Sequence, residues 1–139
     1  MKQRPFALIG GRVLRLLFPL RHTQQLVDSC SGLPYTPRQH TAAAGVAIVA
    51  LASYTDESVR AAITEAKFHN NHQAHALLAE LLTTWLLTRS TILTLVPLPL
   101  SRRRHRERGY NQVEAVLEAG GLTYTPLLQR EHRPAQTSL

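Results

Sequence analysis

The stretch that decides the fold is residues 95–112, LVPLPLSRRRHRERGYNQ. An apolar run over 92–96 leads into it and has the length of a buried strand. Pro97 and Pro99 end that run, because proline fixes φ and has no amide donor. In α/β proteins, ligands bind beyond the carboxyl ends of the strands. We therefore predict a stiff anion-binding turn here, with the Ser101 hydroxyl and the neighbouring amides facing the anion.

The turn continues into a cluster of arginines. Five of them lie within seven residues, opposed only by Glu107: Arg102, Arg103, Arg104, Arg106 and Arg108. This cluster carries +4 of the chain's net charge of +7. The planar guanidinium group matches the oxygens of a phosphate, so the cluster points to phosphorylated ligands or nucleic acid. The alternative is a basic surface loop and helix start that bind nothing.

Working outward, the pattern predicts alternating strands and helices. Residues 45–54 form an apolar, β-branched run typical of a buried strand. Thr55 is expected to cap a helix that ends near Phe68, and a second helix is expected over 72–88. After the strand at 92–96, a further helix is predicted over 107–119. This order favours an α/β fold with a parallel sheet.

The first 44 residues show less regular spacing of apolar residues. Residues 11–20 predict a short amphipathic helix, and 21–44 read as an irregular linker. Cys30 is the one cysteine, which excludes an internal disulfide and a multi-cysteine zinc site. No apolar stretch reaches the length of a membrane span, so we expect a cytoplasmic protein without one.

Two motifs resemble the ComF-like, competence-associated phosphoribosyltransferase family. Residues 96–101, VPLPLS, match the family's turn, and 108–112, RGYNQ, match the start of its next helix. Lys67-Phe68 resembles its lysine–aromatic pair, and 130–139 resembles its arginine-rich loop. The resemblance covers about 46–139 well and the first twenty residues loosely.

The resemblance implies an incomplete type I phosphoribosyltransferase-like fold, a parallel sheet with flanking helices that is truncated at its C-terminus. The division would be 1–44, a short helix and linker, and 45–139, the incomplete domain. It also implies binding of phosphoribosyl pyrophosphate (PRPP) together with Mg²⁺. Three groups of substrate-binding residues are expected. The pyrophosphate would be contacted by Ser101, Arg102, Arg103 and Arg104. The turn would be braced by Arg108 and Asn111, and Lys67 would reach a phosphate from the preceding helix.

Some of these residues have a second interpretation. Arg103 and Arg106 fit a solvated surface equally well. Lys67 would also stabilise a helix end, where a cation opposes the helix dipole.

Two departures from the family limit the expected function. The paired cysteines of a zinc ribbon are missing, so no zinc is expected. The family's acidic pair with a Thr- and Gly-rich loop is also missing, because neither Asp28 nor Asp56 precedes such a loop. No catalytic residue can be assigned, and we expect this chain to be inactive alone.

The second hypothesis is a basic module that binds single-stranded DNA or other polyanions without catalysis. Bases stack on aromatic side chains, and near the arginine cluster the sequence offers only Tyr110.

Overall fold

The computed structural model describes residues 19–42 and 44–130. In chain order its elements are α1 (His22–Ser29), β1 (Arg38–Thr41), β2 (Ala47–Ala50), α2 (Glu57–Phe68), α3 (His72–Leu87), α4 (Arg102–Arg108) and α5 (Gln112–Ala119). Most of the helix predicted over 11–20, and the tail after residue 130, lie outside the described residues. Within the described ranges, no helix combines the length and the hydropathy that crossing a bilayer requires.

The two long helices are where the sequence pattern placed them. Asp56, rather than Thr55, caps α2, because its Oδ1 accepts hydrogen bonds from the amides of Ser58 at 2.9 Å and Val59 at 3.2 Å. Asn71 caps α3 through its side-chain oxygen. Both caps satisfy amides that have no partner inside the helix.

A small aliphatic core joins α1, α2 and α3. The buried residues of this core are Val27, Ala61, Ala62, Ala66, Ala74 and Leu77. Most of them are alanines, whose small side chains let the helix backbones approach closely. The interpretation of 21–44 as an irregular linker is therefore wrong in two places. Helix α1 contributes Val27 to the core, and β1 pairs with β2.

A buried carboxylate ties α1 to the other two helices. Glu65 has no exposed surface, and Arg21 grips it with two hydrogen bonds of 3.1 and 2.9 Å. Thr23 donates a third hydrogen bond to Glu65 at 2.6 Å, and Asn71 a fourth at 3.3 Å. The bond from Arg21 is the main cause that lowers the pKa of Glu65 to about 2. The side chain is therefore ionised throughout the physiological range.

The sheet among the described residues is a two-stranded antiparallel hairpin. Strands β1 and β2 pair in the register Arg38 with Ala50 and Thr41 with Ala47, and the turn between them holds Gly45 at φ 74°. That φ lies in the left-handed region, which glycine occupies at no steric cost.

The predicted strand at 92–96 is not found, and the described residues contain no parallel strand pair. Among the described residues, the backbone of this run makes one long-range hydrogen bond, from the amide of Thr125 to the carbonyl of Leu95 at 2.9 Å. Ile92 is 99% exposed. An apolar run becomes a strand only when a neighbour accepts and donates its ladder of hydrogen bonds. The type I phosphoribosyltransferase-like fold accordingly stays a prediction.

The helix predicted over 107–119 is interrupted: residues 107–108 are the end of α4, and the next helix, α5, begins at Gln112. Gly109 adopts φ 77° and ends α4, and Asn111 caps α5. A glycine in the left-handed region is a common helix end, and here it separates the arginine-rich helix from α5.

Candidate functional site

The proline turn between 96 and 101 is braced by Asn111. This side chain is 5% exposed, and its Nδ2 donates hydrogen bonds to the carbonyl of Leu98 and to Oε1 of Glu114, both at 3.1 Å. Its Oδ1 accepts a hydrogen bond from the amide of Val113 at 3.1 Å. One buried amide side chain therefore holds the turn and starts α5, while the role of Asn111 in a substrate site stays a prediction.

The start of α4 follows directly from the turn. Pro97 is buried and Ser101 is half-buried, while the arginines that come next face solvent. The Ser101 hydroxyl accepts a hydrogen bond from the amide of Arg104 at 3.3 Å, so it acts as a helix cap. Among the residues described, no group accepts a hydrogen bond from the amides of Leu100, Ser101 or Arg102.

The arginines of α4 differ in how they are engaged. Arg103 pairs with Glu107 at 2.7 Å, and both side chains are exposed. Their hydrogen bond is the main cause that lowers the pKa of Glu107. Within the described ranges, no acidic side chain forms an ion pair with Arg102, Arg104 or Arg106. These three guanidinium groups are open to an anion from solvent.

Arg108 and Lys67 meet at one aromatic ring. Arg108 donates a hydrogen bond to Oε1 of Gln112 at 2.8 Å, and its guanidinium carbon lies 5.4 Å from the centroid of Phe68. Lys67 Nζ lies 4.9 Å from the same centroid. Lys67 and Arg108 therefore lie against the same ring. Within the described residues Arg108 makes no hydrogen bond to the proline turn, so its bracing role, like the phosphate contact of Lys67, stays a prediction. Phe68 is 59% exposed, and sequence reasoning missed it as a possible stacking surface.

Tyr110 connects this segment to the corner between α2 and α3. Its hydroxyl donates a hydrogen bond to the carbonyl of Ala66 at 2.7 Å and accepts one from the amide of Asn70 at 3.0 Å. The same carbonyl lies 3.2 Å from Nε2 of His75, a buried ring whose pKa is lowered by desolvation. Sequence reasoning considered Tyr110 only as a stacking residue. A tyrosine beside a left-handed glycine gives no signal for a contact 44 residues away.

The two aspartates of the chain lie on helices other than α4 and α5 or at their ends. Asp56 caps α2, and Asp28 lies on the exposed side of α1. In the part of the chain that the structure describes, no group of three or more His, Cys, Asp or Glu side chains is arranged to hold a metal ion.

Comparisons with known proteins give one similarity. No family model and no solved structure matches the chain. A segment of 43 residues is 44% identical to a competence protein, ComFC of Streptococcus pneumoniae. It covers 31% of this chain and 20% of that relative, so the chain spans about a fifth of the length of the curated protein it matches. The similarity supports a relationship to ComF-like proteins over that segment.

Proposed function

We propose that this chain is part of a ComF-type, phosphoribosyltransferase-like protein and that residues 96–104, the proline turn and the first residues of α4, bind the pyrophosphate of PRPP. The observation that carries the proposal is the set of guanidinium groups of Arg102, Arg104 and Arg106. They have no acidic partner in the part of the chain that the structure describes, and they follow a turn braced by a buried Asn111. The similarity to ComFC and the motifs at 96–101 and 108–112 agree with it.

The chemistry explains why such a turn is useful. In phosphoribosyl transfer the bond from the ribose C1 to pyrophosphate breaks, and negative charge develops on the leaving group. Guanidinium groups stabilise that charge through charge-assisted hydrogen bonds. Arg102 and Arg104 would make these bonds directly, and Arg103 could join by leaving Glu107. Mg²⁺, bound with the substrate, would neutralise part of the same charge.

The acidic pair with a Thr- and Gly-rich loop, which would serve the other half of the reaction, is not among the described residues. A carboxylate near the ribose would stabilise the cation, but Asp56 is committed to its cap. We propose that the described part of the chain binds the leaving group and does not complete the transfer.

Calorimetry with PRPP and Mg²⁺ tests this proposal. The double variant Arg102→Gln/Arg104→Gln should bind at least about tenfold more weakly, because hydrogen bonds to charged groups contribute about 1.5–3 kcal/mol each. Arg60→Gln, which changes an exposed arginine of α2, is the matched control and should bind like the unaltered protein. Equal affinity in all three proteins would refute the pyrophosphate site.

One observation favours binding of single-stranded DNA as the second candidate. Phe68 is exposed and lies beside Lys67 and Arg108, so an aromatic ring and two cations are close together. Base stacking on an aromatic ring is worth about 1–3 kcal/mol. On this hypothesis Phe68→Leu weakens an oligonucleotide but not PRPP, and the logarithm of the DNA association constant falls linearly with the logarithm of salt concentration.

A further inference from the structure

A second concave site lies away from the arginine-rich helix. A groove of about 490 Å³ runs between the β1–β2 hairpin and the carboxyl-terminal end of α3. Its apolar walls are formed by Ala47, Val49, Leu51 and Leu93. The volume falls within the range of small-molecule sites, which are mostly apolar with a few polar groups. None of its lining residues belongs to the candidate phosphate site.

The polar groups of the groove carry one positive charge. The guanidinium carbon of Arg89 lies 4.5 Å from the centroid of the Trp85 ring. No lining residue is acidic, and none of the acidic side chains in the described ranges pairs with Arg89. A guanidinium stacked on an aromatic ring keeps the donors at its edge available to an anion.

The Trp85 ring also carries an unpartnered donor at this end of α3. The Nε1 atom of Trp85 is buried, and within the described residues nothing accepts its hydrogen bond. Buried donors are almost always paired in folded proteins. Gln39 and Thr91 add neutral hydrogen-bonding groups to the lining.

We propose that this groove binds a small amphipathic anion. Its apolar body packs on Val49, Leu51 and Leu93, and its carboxylate or phosphate bonds to Arg89. A further β-strand or a second copy of the chain would also cover the apolar walls. We favour a small anion because the one charged side chain of the lining, Arg89, is a cation and no lining residue is acidic.

The chain's single tryptophan makes the test direct, because emission excited at wavelengths that the four tyrosines do not absorb reports on Trp85 alone. Titration with 4-phenylbutyrate should change that emission and saturate. Its neutral amide, 4-phenylbutanamide, should bind at least about tenfold more weakly, because it lacks the charge that Arg89 recognises. Phenyl phosphate in a parallel titration tells a phosphate head from a carboxylate head.

Two variants and one control complete the experiment. Arg89→Gln should abolish the preference for the carboxylate over the amide, and Val49→Phe should fill the groove and weaken both. Arg60→Gln should leave both affinities unchanged. Emission that never saturates, equal affinities for acid and amide, or an unchanged Arg89→Gln protein would each overturn the proposal. So would sedimentation showing that a dimer forms and excludes the probe. Pyrophosphate binding at α4 is measured separately, so either site can fail without the other.

Discussion

Two charged regions of this protein differ in their exposure to solvent. Around Glu65 an acid is fully buried and held by three side chains from two other parts of the chain. Along α4 most charges are exposed, and within the described ranges the one ion pair, Arg103 with Glu107, joins neighbours on the same helix. The first arrangement fixes how helices pack. The second leaves cations in solvent, where they contribute little to folding and are available to a ligand.

The comparison shows how burial decides what a charge can do. A buried carboxylate is tolerated only when its partners replace the water it has lost. Exposed guanidinium groups keep their water and exchange it for an anion at small cost. The stability of this protein should therefore depend on Glu65 far more than on any acid of α4.

The largest expected effect follows from removing the buried acid. Glu65→Ala should lower the free energy of unfolding by about 3 kcal/mol. Breaking a buried pair can cost more, but Arg21 is 48% exposed and regains water when its partner is lost. Urea unfolding measures the change. A loss no larger than that of a surface substitution would show that α1 is not held by this carboxylate.

Acidification should reveal how much the ionised Glu65 contributes to stability. The folded pKa of Glu65, about 2, lies below its ordinary value of 4.5, so the unfolded chain binds the proton more readily. Its stabilising contribution is complete above pH 4.5 and is lost as the pH falls toward 2. After allowance for the exposed side of Arg21, we expect a loss of about 2 kcal/mol.

The appropriate measurement is the difference between the unaltered protein and Glu65→Gln across this range. Asp56 and Glu107 also have lowered pKa values and titrate in both proteins, so the difference isolates Glu65. Parallel pH profiles in the two proteins would contradict the assignment.

The sequence predicted the helices that carry their own signals. Helices α2 and α3 have apolar residues at helical spacing and capping side chains at their first residues. Helix α1 has only Leu26 and Val27 in an otherwise polar segment, and it packs through the distant contacts of Arg21 and Thr23. Strand β1, RQHT, is exposed throughout and shows no alternation. Such elements depend on tertiary partners, which local pattern does not encode.

The contacts of the candidate site also differ in how far apart their partners lie in the sequence. The Asn111 side chain bonds to Leu98, 13 residues away and within the stretch 95–112, where the resemblance implied a brace for the turn; its role in binding stays a prediction. The contact of Tyr110 with Ala66 spans 44 residues and was not predicted. The strand predicted over 92–96 has the right composition, but within the described ranges it has no strand beside it.

A smaller loss of stability is expected at the junction between the two regions. Tyr110→Phe removes the hydroxyl between the Ala66 carbonyl and the Asn70 amide, and we expect a loss of about 1 kcal/mol. Tyr124→Phe is the matched control, because among the residues described that hydroxyl bonds only to the exposed Glu118, and its removal should have no measurable effect. If the two variants unfold alike, Tyr110 does not hold the arginine-rich segment against the helical core.

The smallest effect is expected from the exposed pair. Glu107→Gln should leave urea unfolding unchanged, because Arg103 returns to water without loss. On the proposed function, the same substitution removes the one acid of α4 and should tighten pyrophosphate binding by about twofold at low salt. The gain should vanish at high salt, because exposed charges are screened there. Destabilisation without tighter binding would mean that Glu107 serves the fold, and the contrast between the buried and the exposed charges would then fail at α4.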